Sequence, residues 1–379
     1  MMVAFPESEY RQRLARAREA LREGGLKGYL AVAPEHLYYL AGYDGHTYWS
    51  DQGCVFTVDG DEPTLVIRDT DEGVARETAW VQDVRTYRYG LDDSLALIGR
   101  QGEGAHRQAA GRGPPQLRAA GGQGARLLEL LGPIVVEDAT ERIGFLRARK
   151  SPAELAYVRQ AAKYAHAGME AAFAAVRPGR SEIEIAADIE YAVRSRGSDS
   201  PAMPTWMTSG RRTGYSHLTP TDRVVQSGEL VLFAFAGVAR RYHCSMYRTV
   251  SLGEPPARVR EVYRVAEEAL HTGACAAVVG ALASDVEEAA LVPLRRAGLD
   301  AHLAQRFGYG VSAGYPPSWL EPLDIVRGST QRLAAGMVFC LHCVLKFPGE
   351  FGVMVGGDFV LHRDRLEFLD PTGTELRVL

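Results

Sequence analysis

The stretch GELVLFAFAGVARRYHCSMYRTVSL, residues 228–252, decides the fold class of this chain. It holds two β-like segments, 230–236 and 242–252, that follow one another closely. In the second, His243 and Ser245 are two residues apart, so both side chains leave one face of an extended strand. Two more β-like segments, 337–345 and 351–361, lie toward the end of the chain. Ahead of them stand helix signals. Ser151-Pro152-Ala153-Glu154 combines an N-cap serine, a proline at the first helical position and a glutamate at the third. The expected helix runs from Pro152 to about Val176, where Pro178-Gly179 stops it. Ser181 caps another helix that ends near Gly197, and Ser284-Asp285-Val286-Glu287 opens a third that stops at Gly298. Helices first and strands afterwards make the second half α+β.

The first half has another texture. Residues 7–23 read as an amphipathic helix ending at Gly24-Gly25. Short apolar runs at 28–32, 53–58 and 64–67 alternate with turns and helical stretches, the mark of an α/β layer. Residues 100–126 are rich in Gly, Gln, Ala and Arg, and Leu117 is their one large aliphatic residue. They cannot bury enough apolar surface to fold alone, which marks a solvated insertion. A reading-frame error is the alternative, because the surrounding pattern wants a strand and a helix there. The two domains are expected at 1–149 and 150–379.

The chain has 379 residues, too many for one ordinary core, with 46% apolar and 24% charged residues. A net charge of −4 points to neither nucleic acid nor an anionic membrane. No apolar run approaches the roughly 20 residues that span a bilayer, and the first 15 residues show no signal-peptide core. Five scattered cysteines form no disulfide framework and fit a cytoplasmic protein. Cys340-x-x-Cys343 looks like half a zinc site, but in a strand the two thiols face opposite ways.

Several segments carry a family resemblance. Lys150-Ser151-Pro152 followed by Glu154 resembles the linker into the pita-bread domain of creatinase, aminopeptidase P and prolidase. Residues 210–217 resemble the loop that delivers that family's active-site histidine, which places His217 there. Residues 228–233, 242–249 and 336–339 resemble the strands that lead to its metal ligands. Leu40-Ala41-Gly42-Tyr43-Asp44-Gly45, together with Gly308-Tyr309-Gly310 and Tyr315-Pro316-Pro317, is similar to ectoine hydrolases. Creatinase is the other near comparison. The resemblance implies a creatinase/prolidase-type α/β N-terminal domain followed by an α+β pita-bread domain.

It also implies which positions should hold metal ligands. The two aspartates fall on Ala234 and Ser245, the histidine on Tyr309, and the two glutamates on His342 and Gly357. A dinuclear centre needs hard oxygen ligands and a histidine, so this set implies no metal, and no other cofactor is expected. Convergence of His217, His243, His342 and Asp358 would suit zinc, but no tight His-x-His or His-x-x-x-His pair supports it.

Hydrolysis of a carbon–nitrogen bond without metal needs an acid for the leaving nitrogen, a base for water and donors for the oxyanion. His217 is the expected shuttle, with His243 and His342 as further acid/base or hydrogen-bonding groups and Tyr309 as a neutral donor. For substrate binding, Arg248 offers a fork for a carboxylate. Trp206 and Tyr242 offer aromatic faces, and Glu321 and Asp358 are the acidic candidates. In the first domain Tyr48 follows the Gly42-to-Gly45 turn, a region that in creatinase-like dimers reaches the partner's site. A homodimer with shared sites is therefore expected by resemblance. The expected function is metal-independent hydrolysis of a C–N bond in a small amino-acid-like metabolite. Two others stand beside it: a non-hydrolytic acid/base enzyme (lyase, decarboxylase or cyclase) and a non-catalytic binding module. Peptidase activity ranks last.

Overall fold

The computed structural model describes residues 3–45, 50–60, 62–102, 108–111, 126–127, 129–130 and 136–379. It divides into two units, Met1–Arg147 and Ala148–Leu379.

In the first unit, α1 (Glu7–Glu23) buries Tyr10, Leu14, Ala17 and Leu21, the stripe that a helical period of 3.6 dictates. Strands β1 (Gly28–Ala31), β2 (Gly53–Thr57), β3 (Thr64–Arg68), β4 (Asp83–Tyr87), β5 (Gln108–Gly111) and β6 (Val136–Glu137) form a sheet of order β4-β3-β2-β1-β5-β6. Helices α2 (Pro34–Ala41), α3 (Glu72–Thr78), α4 (Ser94–Gly102) and α5 (Thr140–Ala148) connect them. Leu30, Val55, Val66 and Ile98 build the core where α4 meets the sheet. Of the stretch 100–126, expected to be a solvated insertion, residues 103–107 and 112–125 lie outside the described residues. Within it, 108–111 runs parallel to β1, beside β6, so this segment supplies a strand of the sheet. A ladder is made by backbone groups, and small residues make it as well as large ones.

The second unit follows the sequence signals closely. Helix α6 (Pro152–Ala175) starts with a full capping box between Ser151 and Glu154, and α7 (Glu182–Ser195) with one between Ser181 and Glu184. Helix α8 is Ala257–Ala276 and α9 is Ala283–Arg296. The expected capping box at Ser284 is absent. Helix α9 begins at Ala283 behind Leu282, which makes no side-chain cap, so Ser284 lies in the first turn.

Strands β7 (Trp206–Ser209), β8 (Leu230–Ala239), β9 (Tyr242–Ser251), β10 (Gly308–Tyr315), β11 (Ser318–Ile325), β12 (Val338–Phe347) and β13 (Phe351–Leu361) form one sheet of order β11-β10-β12-β13-β9-β8-β7. Short strands β14 (Leu366–Phe368) and β15 (Arg377–Val378) extend it from β13 and β9. This is the pita-bread domain.

The strand period of two sorts the sheet into two faces. Val231, Phe233, Phe235, Met246 and Val250 pack with Ala165, Met169, Phe173, Ile185 and Ile189 of α6 and α7 in one apolar cluster. Tyr242 and Arg248 share the parity of Met246 and lie on this helical side. The Tyr242 hydroxyl donates to Glu154 Oε1 at 2.7 Å, and its ring stacks on Tyr157. Arg248 donates to Tyr247 O and Gly356 O, each at 2.7 Å, and pairs with Asp370. The expected substrate-binding roles of Tyr242 and Arg248 are thus corrected: both are committed to the core, on the side away from the histidine-bearing face.

Arg248→Ala is expected to cost about 3–5 kcal/mol, because it leaves Asp370 as an uncompensated buried charge. Arg248→Met combined with Asp370→Asn should recover most of that loss. Urea denaturation of the three proteins checks it, and a near-neutral Arg248→Ala would refute the structural role.

Candidate functional site

The face opposite the helices carries the polar groups. Ala234 stands across from Tyr247 and Trp206, Ala236 from Ser245, and Val238 from His243. Gly356 stands across from both Tyr247 and His342, Asp358 from Cys340, and Cys340 from Tyr309. Trp206, His243, Ser245, Tyr247, Tyr309, Cys340, His342 and Asp358 therefore rise from one side of one sheet. The register also corrects one assignment. Gly357 pairs with Leu341 and Met246 and belongs to the helical face, so the glycine at the second glutamate place is Gly356.

The groups on this face satisfy each other without ions. Asp358 accepts from the Ser245 amide at 2.8 Å and the Ser245 hydroxyl at 2.6 Å. Burial pushes its carboxyl up to about 7, opposed chiefly by those two bonds. The Tyr247 and Tyr309 hydroxyls bond to each other, and burial holds both far above the usual phenol range. Burial likewise keeps the Cys340 thiol protonated. His342 lies 5.2 Å from the Tyr247 ring and 5.5 Å from the Tyr309 ring, centroid to centroid. Burial lowers its pKa to about 4, with Arg306 and His217 adding to the effect, so it is neutral at pH 7. Its Nδ1, like Trp319 Nε1, is buried with no hydrogen-bond partner among the described residues. Such groups cost about 1–3 kcal/mol unless something bonds them.

His217 stands at the exposed edge of this face. Its loop is fixed at both ends by the buried Glu182 of α7. One carboxylate oxygen accepts from the Ser209 amide and hydroxyl at 2.8 and 2.7 Å, the other from those of Thr221 at 3.0 and 2.9 Å. His217 has φ +58°, in the left-handed region that costs a non-glycine residue roughly 1–2 kcal/mol. Strain of this kind gathers at functional positions. Its Nε2 is 2.9 Å from Gln305 Nε2 and its ring 5.2 Å from Trp206. Partial desolvation and then the Lys346 ammonium hold its pKa below the ordinary imidazole value.

The remaining expected site residues fare differently. His243 is on the face, but its Nε2 accepts the Ala202 amide at 2.9 Å, which gives this nitrogen a structural task and corrects its acid/base assignment. Glu321 is ion-paired with Lys150, both side chains wholly buried, so it is not an open acid for substrate. Asp358 is likewise corrected from substrate ligand to buttress, since both its oxygens are taken by Ser245. Tyr48 lies outside the described residues. Sequence reasoning passed over Tyr247 and Lys346. Each was within reach of the alternation rule, two residues from Ser245 and four from His342.

Comparison with known proteins fixes the lineage. The model of metallopeptidase family M24 matches residues 156–363, and that of the creatinase/prolidase N-terminal domain matches 13–112. The chain belongs to family M24. It is 29% identical to an ectoine hydrolase of Halomonas elongata over 358 residues, 88% of each chain. It is also 29% identical to an Xaa-Pro dipeptidase of Lactobacillus delbrueckii over 244 residues, 64% of this chain and 65% of that one. Among solved structures, the dipeptidase PepE of Mycobacterium ulcerans superposes with a TM-score of 0.87 at 27% identity, covering 99% of both chains. The prolidase of Pyrococcus horikoshii, at 0.85 and 20% identity over 96% of this chain and 99% of that one, attests the fold alone. The family is one of hydrolases.

The family name implies a metal, and the donor set does not fit one. Ala234 and Gly356 carry no ligand atom. The Ser245 and Tyr309 hydroxyls are spent on Asp358 and Tyr247, and burial keeps the phenol protonated. Among the described residues, no group of three His, Cys, Asp or Glu side chains is placed to hold an ion. Nor is any described helix long and apolar enough to cross a membrane.

The Asp358 carboxyl yields a pH prediction. Its folded pKa of about 7 exceeds the ordinary 3.8, so between those values the folded protein keeps a proton that the unfolded chain has released. Stability contributed by this group is therefore full below about pH 4, falls as pH rises toward 7 and is flat above. Asp358→Asn should flatten that decline, as read from urea midpoints at about pH 5 and about pH 8. An unchanged slope would show that Asp358 does not titrate there.

Proposed function

We propose that this protein is a metal-independent hydrolase of a C–N bond in a small amino-acid-like metabolite, with His217 as its acid/base. The observation that carries this reading is that the metal-ligand places hold Ala234 and Gly356, which have no ligand atom, Ser245 and Tyr309, whose hydroxyls are hydrogen-bonded to neighbours, and a neutral His342, while a strained imidazole remains at the edge of the same face. His217 is the accessible imidazole of that face, and its lowered pKa leaves it largely neutral near pH 7, ready to accept a proton from water. His342 stays neutral beside it and offers a ring nitrogen to the substrate. The Tyr247–Tyr309 pair uses one hydroxyl proton in its mutual bond and has the other as a neutral donor for developing negative charge. Trp206 forms an aromatic wall beside His217. The similarity to an ectoine hydrolase over most of both chains supports a non-peptide substrate. The reading includes a homodimer, on family resemblance; sedimentation of a fully active monomer would remove that part.

Purified protein incubated with a metabolite extract should consume a specific metabolite at a rate unchanged by EDTA. His217→Ala should slow that consumption by about 10² to 10⁴-fold with the melting curve intact. Loss of turnover on chelation, restored by a divalent ion, would refute metal independence. Near-normal turnover by His217→Ala would refute the role of the histidine.

A further inference from the structure

Among the charged groups of the second unit, one cation stands apart. Most buried or half-buried charges here have a partner of opposite sign: Lys150 with Glu321, Arg248 with Asp370, Arg223 with Glu229, Arg306 with Asp324. Lys346 of β12 is half-buried, and its ammonium donates to a neutral acceptor, Thr213 O, at 2.7 Å. Among the described residues no carboxylate pairs with it. Four residues beyond His342, it rises from the same face of β12 and lies within electrostatic reach of His217. Lys346 acts on His217, whereas Arg306, which acts on His342, is already paired with Asp324. Asp358 stands opposite Cys340, toward the other end of β12, and its oxygens are occupied by Ser245.

We propose that Lys346 is the anchor for a substrate carboxylate, so that the substrate is a small carboxylate-bearing metabolite held with its anionic end at Lys346 and its reacting bond toward His217 and His342. A half-buried ammonium with one neutral acceptor has donors left for an anion, and a charge-assisted bond there is about twice as strong as a neutral one. Burial lowers the Lys346 pKa to about 8, so its charge is costly unpaired, and a bound carboxylate offsets that cost. The unpartnered His342 Nδ1, on the same face of β12, is left for the polar remainder of the same molecule. The proposal deepens the hydrolase reading by naming its substrate class and the residue that selects it.

The test is an equilibrium one and needs no turnover. Acetate and N-acetylglycine are titrated at constant ionic strength against their neutral counterparts, acetamide and N-acetylglycinamide, with the imidazole resonances of His217 and His342 as the readout. Each carboxylate should shift these signals at about tenfold lower concentration than its amide. Lys346→Met should abolish the preference and Lys346→Arg should keep it. The Lys346 Cε resonance of the unaltered protein should move with acetate, which reports the same contact directly if Lys346→Met fails to fold. No carboxylate preference up to about 0.1 M, where even a weak site fills, or a preference that survives Lys346→Met, would overturn the proposal. Because binding is measured without turnover, failure here leaves His217 as acid/base standing. An inert result for His217→Ala would equally leave the anion site standing.

Discussion

The alternation of side chains along β9 is the constraint on which the second unit depends. Its even-numbered residues from Tyr242 to Val250 go to the helices, and its odd-numbered residues from His243 to Thr249 go to the opposite face. Hydrogen-bonded register transmits this choice to β8 and β13, and through β13 to β12 and β10. A slip of one residue would send Met246 and Arg248 to the polar face and bury Ser245 and Tyr247 against α6. Apolar packing on one side thereby fixes the positions of polar groups on the other. The chemistry of the site is held by contacts that take no part in it.

That polar face is held by hydrogen bonds among its own side chains. Ser245 with Asp358 and Tyr247 with Tyr309 need no ion to be satisfied. The low-dielectric setting that makes an unpaired polar atom expensive also strengthens such bonds once they form. The same setting holds tyrosines and the thiol protonated and His342 neutral. At the edge stand Lys346, bonded to a neutral carbonyl, and Arg306, paired with Asp324.

Much of this was legible in the sequence, and the reason differs from place to place. Capping boxes at Ser151 and Ser181 announced their helices because a cap is a local bond between residues three apart. Ser284 mimicked one, and the packing of Ala283 overrode it. The four long strands of the polar sheet were visible as apolar runs. His217, His342 and Tyr309 were located by resemblance, and the register then sorted their neighbours. Arg248, Tyr242 and Glu321 misled because a charged or aromatic residue near a site in sequence says nothing about which face it takes or which partner it meets. Asp370 and Lys150 lie 122 and 171 residues from Arg248 and Glu321. Pairings over such distances are set by topology alone.

The close approach of β12 and β13 at Gly356 has a consequence for the history of this protein. A Cβ added there would lie 2.6 Å from the His342 Cβ and 2.4 Å from the Leu341 carbonyl oxygen, closer than real atoms approach. No side chain enters at that position until the two strands separate, and they are joined by a continuous ladder from Val338 to Phe347. A carboxylate there would meet backbone atoms of Leu341 and His342, so the ladder itself would have to shift to admit it. Backbone geometry thus keeps position 356 without a side-chain ligand atom. Among close relatives that keep this ladder spacing, position 356 should therefore remain glycine.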